Sequence, residues 1–228
     1  MTVRTVLITG GSSGLGAAVA AAVLAAGGRA IVLDKAAPAA EVSDFLPVDL
    51  SDSAAAERAV AEAAERNGGL DGVVTAAGID SCGRLDEVST SDWERVIRVN
   101  LLGTAAVVRA AIPHLIRSRG RVVTVASTLG LRAVSDATAY CASKFGVVGF
   151  TRALAAEAAG LVGVTLLIPG GMRTTFFDDR EEQYRPPDPG LLNPPENVAS
   201  AVMFALSQPP ECEVRELVVA HAKEPSWP

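Results

Sequence analysis

The sequence contains few of the residues that build metal centres and disulfide frameworks. Its 228 residues include only two histidines, His114 and His221, and three cysteines, Cys82, Cys141 and Cys212. An odd number of scattered cysteines fits neither a disulfide framework nor a zinc site, and it suits a reducing compartment. We therefore predict a cytoplasmic protein without a metal site.

The chain also lacks a basic cluster and a long apolar run. Asp and Glu outnumber Lys and Arg by 26 to 20, the formal net charge is −6, and no Lys/Arg-rich block stands out. Nucleic acid is therefore not expected as a partner. The alanine-rich run at 17–26 has about half of the roughly twenty apolar residues that a membrane span needs. Residues 1–10 are not built like a signal peptide, so we expect neither a membrane partner nor a targeting segment.

What the sequence does have is an alternation of apolar strands and helices from end to end. Such an alternation predicts crossover connections, and the continuous apolar strands indicate a parallel sheet that is covered on both faces. We predict an α/β fold: a single Rossmann-type, doubly wound domain over residues 1–228, with a seven-stranded, mainly parallel sheet and helices on both faces. Strands are predicted at 3–9, 30–33, 45–48, 73–76, 121–126, 164–168 and 216–220, and helices at 14–26, 53–66, 92–118, 137–159 and 194–206.

A long irregular segment precedes the last helix. Its charges, Arg180-Glu181-Glu182, are typical of a solvated loop, but a loop of this length in a compact domain is often functional. We predict a substrate loop at about 171–193.

Several conspicuous residues are predicted to have structural roles. Arg117, Arg119 and Arg121 cluster at the amino end of the fifth strand, away from the edge where ligands bind, and are expected to form a solvated or interface patch. Cys141 and Trp227 are expected to be packing residues.

A glycine-rich turn connects the first strand to the first helix. It reads Thr9-Gly-Gly-Ser-Ser-Gly-Leu-Gly16, which lacks bulky side chains and lets a phosphate approach the N–H groups at a helix N-terminus. Its spacing is G-x-x-x-G-x-G rather than the G-x-G-x-x-G fingerprint. A tight turn without a ligand is the alternative, but the position between strand and helix favours a dinucleotide site.

Two carboxylates follow neighbouring strands. Asp34 ends the second strand, where an acid in dinucleotide folds accepts hydrogen bonds from the adenosine ribose and repels a 2′-phosphate. Asp34 therefore favours NAD over NADP, although a surface aspartate is the alternative. Asp49, just after the third strand, is a candidate partner for the adenine amino group, with the same alternative.

Tyr140 and Lys144 are four residues apart on a predicted helix and so share a face. An ammonium near a phenol favours the phenolate, so we expect Lys144 to lower the pKa of Tyr140 and to make it a proton carrier. Alone, the pair could arise by chance. Ser127, however, ends the fifth strand at the edge where open α/β sheets bind ligands. Asn100 lies inside a predicted helix, either as a tolerated misfit or for its polar side chain.

Taken in order, these motifs resemble the short-chain dehydrogenase/reductase family. The matching pieces cover the chain to about residue 220 and are the glycine turn, Asp49, Ala76-Ala77-Gly78, Asn100, Ser127, Tyr140 with Lys144, and Pro169-Gly170. One departure is Thr75-Ala76-Ala77-Gly78, where the family usually has Asn-Asn-Ala-Gly. The departure puts any cofactor contact made by those asparagines in doubt.

The resemblance implies hydride transfer between NAD(H) and a small secondary alcohol or its ketone. Tyr140 would be the general acid and base, and Lys144 would lower its pKa and bind the nicotinamide ribose. Ser127 would orient the substrate oxygen, and Asn100 would hold a water that relays protons. The implied cofactor-binding residues are Gly10, Ser12, Ser13, Gly14, Leu15, Gly16, Asp34, Asp49, Leu50, Ala76, Ala77, Gly78, Tyr140, Lys144, Pro169, Gly170, Met172 and Thr174.

The resemblance also implies a homodimer or homotetramer assembled through the helices predicted at 92–118 and 137–159. Two other functions stay open. The first is an NADPH-dependent reductase of 3-oxoacyl thioesters on an acidic carrier protein, for which Arg132 is the one basic residue near the predicted site. The second is a dinucleotide-binding scaffold without catalysis.

Overall fold

Seven apolar strands form one sheet in the order β3-β2-β1-β4-β5-β6-β7, and every pairing in it is parallel. The structure, a computed structural model, describes residues 5–224 and residue 226, so the first two residues of the strand predicted at 3–9 and the predicted packing residue Trp227 lie outside the described residues. The strands are β1 Thr5–Thr9, β2 Arg29–Asp34, β3 Asp44–Pro47, β4 Gly72–Thr75, β5 Arg121–Val125, β6 Gly163–Pro169 and β7 Glu216–Val219.

Helices cover both faces of this sheet. On β1, Leu7 packs in the core cluster that contains α2 and α4, whereas Val6 and Ile8 pack in the cluster that contains α1 and α6. This alternation of side chains along the strand confirms the predicted doubly wound α/β fold. The helices are α1 Gly14–Ala25, α2 Ser53–Arg66, α3 Thr90–Ile97, α4 Thr104–Ser118, α5 Thr138–Glu157 and α6 Pro195–Leu206.

The strand order reverses beside β1, and this reversal opens a crevice at the carboxyl edge of the sheet. The chain leaves β1 for β2 on one side and returns to β4 on the other, so Thr9 pairs with both Leu33 and Thr75 at that edge. Crevices at such a switch point are where open α/β sheets bind ligands. The fold therefore brings the ends of β1, β2, β4, β5 and β6 around one site.

The helix predicted at 92–118 is continuous from Thr90 to Ser118 but is not a uniform α-helix. A π-helical segment, Arg98–Gly103, separates α3 from α4. By length and composition, the whole helix Thr90–Ser118 is the one helix among the described residues that could cross a membrane. Half of its most apolar stretch, however, is buried inside the fold. Burial of that kind is typical of a core helix.

The prediction of a solvated or interface arginine patch is wrong for Arg121. Its side chain is only 5% exposed, and its guanidinium donates to the carbonyls of Gln208, Pro209 and Cys212 at 2.8, 2.5 and 3.0 Å. A buried cation requires such acceptors, and here they come from the loop that follows α6. Arg121 therefore ties that loop to the amino edge of the sheet.

We predict that Arg121→Leu lowers the free energy of unfolding by about 2–4 kcal/mol, because the carbonyls lose a charged donor at a buried position. Urea denaturation followed by circular dichroism measures the change. Arg117→Ala, in the exposed last turn of α4, is the matched control and should cost less than about 0.5 kcal/mol. Equal stabilities of the two variants would contradict the role assigned to Arg121.

Candidate active site

The turn between β1 and α1 is shaped by glycines that no larger residue could replace. Gly10 has a φ of +67°, and a Cβ on it would lie 2.7 Å from the Cα of Ala77. A Cβ on Gly16 would lie 2.1 Å from the carbonyl oxygen of Gly10. Ser13 precedes α1, but no side chain caps the helix. The first turn of α1 therefore presents backbone N–H groups to the crevice, in an arrangement that suits a phosphate.

A cavity of about 550 Å³ runs from this turn across the carboxyl edge of the sheet. Of the predicted cofactor-binding residues, only Ser12 and Gly16 do not line it. Ser12 supports the wall through its N–H, which donates to Asp34, and Gly16 packs against Gly10. The predicted residues that line it are Gly10, Ser13, Gly14, Leu15, Asp34, Asp49, Leu50, Ala76, Ala77, Gly78, Tyr140, Lys144, Pro169, Gly170, Met172 and Thr174.

The end of this cavity beside β2 and β3 carries two carboxylates. Asp34 Oδ2 accepts the Ser12 N–H at 3.0 Å, and Oδ1 accepts the Lys35 N–H at 2.7 Å, so the glycine turn fixes the Asp34 side chain. Asp49 forms a 3.0 Å ion pair with Lys35. The Ser51 N–H, with help from Lys35, lowers the pKa of Asp49 to about 2. Lys35, the cation nearest Asp34 in sequence, is thus already engaged by a carboxylate.

Ser127, Tyr140 and Lys144 meet at the other end of the cavity. Ser127 follows β5 and accepts the Leu129 N–H at 3.1 Å, which orients its hydroxyl. α5 places Tyr140 and Lys144 one turn apart, with the Lys144 Nζ 5.6 Å from the centre of the Tyr140 ring. Nζ also donates to the Val125 carbonyl at 2.9 Å, at the end of β5. These three predicted catalytic side chains therefore share one wall.

The pKa of the phenol departs from the sequence-based prediction. Burial raises the pKa of Tyr140 above its ordinary value, and the neighbouring Ser127 hydroxyl acts in the opposite direction with a smaller effect. Burial also lowers the pKa of the Lys144 ammonium to about 8. The predicted lowering of the phenol pKa by Lys144 is not found in this structure, because burial dominates and the charges that act most on the phenol are those of Asp80 and Arg180.

Asn100 lies behind this wall rather than on it, in the π-helical segment Arg98–Gly103. Its side chain is 1% exposed, and its amide both donates to the Ile79 carbonyl and accepts the Ile79 N–H, each at 2.9 Å. A second Nδ2 hydrogen goes to the Ser143 hydroxyl at 3.0 Å. Asn100 is therefore not a misfit: it holds the loop after β4 against α5, and π-helical turns of this kind are frequent at functional sites.

Asn100 and Lys144 face the same small space beside Gly78. A Cβ on Gly78 would lie 3.6 Å from the Lys144 Nζ and 3.7 Å from the Asn100 Oδ1. The glycine leaves this space open, and Oδ1 has used one of its two lone pairs on Ile79. The arrangement offers an acceptor and a donor to a bridging polar group.

The end of the cavity beside Tyr140 contains residues that no sequence pattern indicated. Arg180, read from sequence as a solvated charge, is partly buried and forms a 2.6 Å ion pair with Asp80. Glu224 lines the cavity and accepts the Gly171 N–H at 2.9 Å, and Ser226 bonds to the Thr128 hydroxyl at 2.7 Å. No local pattern marks these residues, because their partners lie far away in the chain. Arg132, in contrast, is exposed and does not line the cavity.

Comparison with known proteins shows that the sequence of this chain is similar to those of dehydrogenases. A sequence profile described as short chain dehydrogenase matches residues 4–185. The chain is 32% identical to the L-fucose dehydrogenase of Mus musculus, with 97% of this chain and 88% of the relative covered. It is also 32% identical to the meso-2,3-butanediol dehydrogenase of Serratia marcescens, with 90% of this chain and 87% of the relative covered.

Solved structures show the same similarity. The aldohexose dehydrogenase of Thermoplasma acidophilum has a TM-score of 0.87 at 27% identity, with 95% of this chain and 92% of that chain covered. The alcohol dehydrogenase of Thermococcus sibiricus complexed with 5-hydroxy-NADP has a TM-score of 0.85 at 26% identity, with 96% and 97% covered.

The depressed pKa of Lys144 predicts a pH-dependent stability. The unfolded chain binds a proton at Lys144 up to its ordinary pKa of 10.5, whereas the folded chain releases it near 8. Stability therefore rises with pH in this window, by about 2 kcal/mol from about pH 7.5 to about pH 9.5. At pH values above the ordinary pKa of Tyr140, the raised pKa of the phenol has the opposite effect on stability. Only the unfolded chain then loses that proton, so stability falls as the pH rises.

Urea denaturation of the wild type and of Lys144→Met across this pH range isolates the effect. Cys82, whose burial raises its pKa to about 11, is present in both proteins and cancels in the difference. The wild type should gain stability relative to the variant as the pH rises. A difference that stays constant with pH would show that Lys144 titrates normally.

Proposed function

The chain belongs to the short-chain dehydrogenase family, and from this premise we propose that it transfers a hydride between NAD(H) and a secondary alcohol or its ketone. As a member it is an oxidoreductase acting on CH–OH groups. The observation that carries the proposal is the shared wall of Ser127, Tyr140 and Lys144 in the cavity that begins at the glycine turn. The names of the relatives support an alcohol substrate, because L-fucose and meso-2,3-butanediol both carry CH–OH groups.

The residues present fit a bound dinucleotide. The uncapped N-terminus of α1 would hold the pyrophosphate, Asp34 the adenosine ribose and Asp49 the adenine amino group. Met172 and Thr174 would contact the carboxamide, and Lys144 the second ribose. When bound, the nicotinamide would supply or accept the hydride. Because Gly10, Gly14 and Gly16 leave no side-chain bulk at the turn, the backbone itself can approach the phosphates.

Tyr140 would exchange a proton with the substrate oxygen. Its raised pKa keeps the phenol protonated near neutral pH, the form that donates to a ketone as hydride arrives. In the oxidation direction the phenol must first lose that proton. Ser127, whose own oxygen is oriented by the Leu129 N–H, would donate its hydrogen to the substrate oxygen and stabilise the charge on it.

Lys144 and Asn100 would resupply the proton. The Lys144 pKa of about 8 lies close to physiological pH, so this ammonium can both lose and regain a proton during turnover. The open space beside Gly78 would admit a water between the Lys144 Nζ and the Asn100 Oδ1. In this proposal the π-helical segment positions Asn100 for that water.

We also propose a homodimer or homotetramer in the cytoplasm. Leu102, beside α4, and Phe145, on α5, are 48% and 44% exposed, and large exposed hydrophobics on these helices support assembly through them.

The proposed cytoplasmic location has a different support. Cys82, Cys141 and Cys212 are free thiols, which fits a reducing compartment.

We predict that Tyr140→Phe lowers kcat by about 10²–10⁴-fold, because the variant keeps the ring and loses the proton carrier. NADH binding, followed by its fluorescence, should stay nearly unchanged. Cys141→Ala, at the neighbouring buried position, is the control and should keep most of the activity. A screen of secondary alcohols with NAD supplies the assay. An active Tyr140→Phe enzyme would refute the assigned role.

The cofactor preference has its own test. We predict that the wild type binds NADH more tightly than NADPH, because the Asp34 carboxylate would repel a 2′-phosphate. Asp34→Ser should move the ratio of the two dissociation constants toward NADPH by about tenfold, equivalent to about 1.4 kcal/mol. Asp49→Asn, on the adenine side, should weaken both cofactors equally. Tighter binding of NADPH by the wild type would contradict the use of Asp34 and would favour the 3-oxoacyl thioester reductase instead.

A further inference from the structure

A buried ion pair closes the substrate end of the cavity and has no part in the proton and hydride chemistry proposed above. Asp80 lies in the loop after β4, and Arg180 lies in the segment 173–193 that joins β6 to α6. Their side chains are only 7% and 18% exposed, and the Arg180 Nη2 lies 2.6 Å from the Asp80 Oδ2. Removal of a pair of charges from water is costly, so this one needs an explanation beyond the stability of the loop.

Two aromatic rings fix the Arg180 guanidinium close to the proposed catalytic phenol. Its central carbon lies 5.0 Å from the centre of the Phe176 ring and 4.6 Å from that of Phe177. The Phe176 ring in turn lies 5.7 Å from the Tyr140 ring. All four side chains line the cavity. The Phe176 ring therefore packs against both the guanidinium and the phenol.

The hydrogen bonds of Arg180 are incomplete. A guanidinium carries five N–H donors. Here Nη2 donates to Asp80 and Nη1 donates to the Tyr184 carbonyl at 3.3 Å, but Nε is buried and has no acceptor among the described residues. A buried donor without a partner costs about 1–3 kcal/mol. Because Arg180 lines the cavity, a small shift of its side chain would bring this donor to an acceptor that the protein does not supply.

We propose that Arg180 determines the substrate specificity of this enzyme by donating to a second substrate oxygen, beyond the carbon that reacts. This inference rests on the function proposed above. Because Asp80 already balances the charge of Arg180, the favoured acceptor is a neutral hydroxyl or carbonyl oxygen rather than a carboxylate. The substrate class is then neutral alcohols that carry another oxygen, such as diols, hydroxyketones and sugars.

The segment that carries Arg180 has little regular structure to resist a displacement. Between residues 173 and 193 its only regular structure is three 3₁₀ turns of three residues each, at Thr175–Phe177, Glu182–Tyr184 and Pro189–Leu191. Since Nε is covered in the closed arrangement, the substrate has to enter while this segment is displaced. Once the substrate is bound, the Asp80–Arg180 pair holds the guanidinium beside it, with the segment shifted enough for Nε to reach the substrate oxygen.

The test compares 2,3-butanediol with 2-butanol, which differ by the second hydroxyl. The wild type should oxidise the diol with the higher kcat/KM. Arg180→Lys keeps a cation for Asp80 but lacks the planar guanidinium, so its kcat/KM should fall about 10–100-fold more for the diol than for 2-butanol, as expected for a charged hydrogen bond. Equal losses on both alcohols would overturn the inference in favour of a role in loop closure alone.

Arg185→Gln is the matched control. Arg185 is exposed in the same segment and donates to the backbone carbonyls of Arg180 and Asp178, so its loss loosens the loop without touching the guanidinium. The control should lower both rates together. A change of diol preference in Arg185→Gln as large as in Arg180→Lys would overturn the inference.

Asp80→Asn tests the charge argument. The variant leaves Arg180 uncompensated, so kcat/KM for the anion 3-hydroxybutyrate should rise about tenfold relative to that for the diol. An unchanged ratio would overturn the assignment to neutral substrates. A wild type that oxidises the diol and 2-butanol equally well would overturn the inference and leave the proposed function standing, whereas a wild type that oxidises no alcohol with either cofactor would overturn both.

Discussion

The whole site depends on one buried ammonium. Lys144 is 4% exposed, and its Nζ donates to the Val125 carbonyl at the end of β5. This contact fixes α5 against the carboxyl edge of the sheet and so sets where Tyr140 lies relative to Ser127. It also leaves the ammonium with little water, and burial lowers its pKa to about 8. The burial of the Lys144 ammonium against the end of β5 therefore sets both its position and its pKa.

Asn100 extends this arrangement to the next loop. Because its amide bonds to both backbone groups of Ile79 and to the Ser143 hydroxyl, it joins the loop after β4 to α5. The polar groups of the site are thus held by backbone carbonyls and N–H groups, which move little, rather than by other long side chains. Such support keeps a catalytic arrangement in place before a ligand arrives.

The sequence was sufficient where local pattern decides structure. The strands, the glycine turn and the shared face of Tyr140 and Lys144 follow from spacing alone, and the structure agrees with them to within a few residues. The direction of the Tyr140 pKa could not be predicted, because burial outweighs a neighbouring charge and burial is a property of the fold. Sequence patterns also could not predict that Asp80 pairs with Arg180 or that three carbonyls surround Arg121. Each of these contacts joins segments that are remote in the chain.

The wholly parallel sheet has a consequence for the newly made chain. Its cavity needs Gly10 from the first turn, Ser127 from the middle and Pro169 from the sixth strand, so a ribosome must complete most of the polypeptide before the cavity is whole. Until then β5 has no β6 beside it and presents an apolar edge. A ligand that binds only the complete cavity can stabilise the finished fold but not the nascent chain.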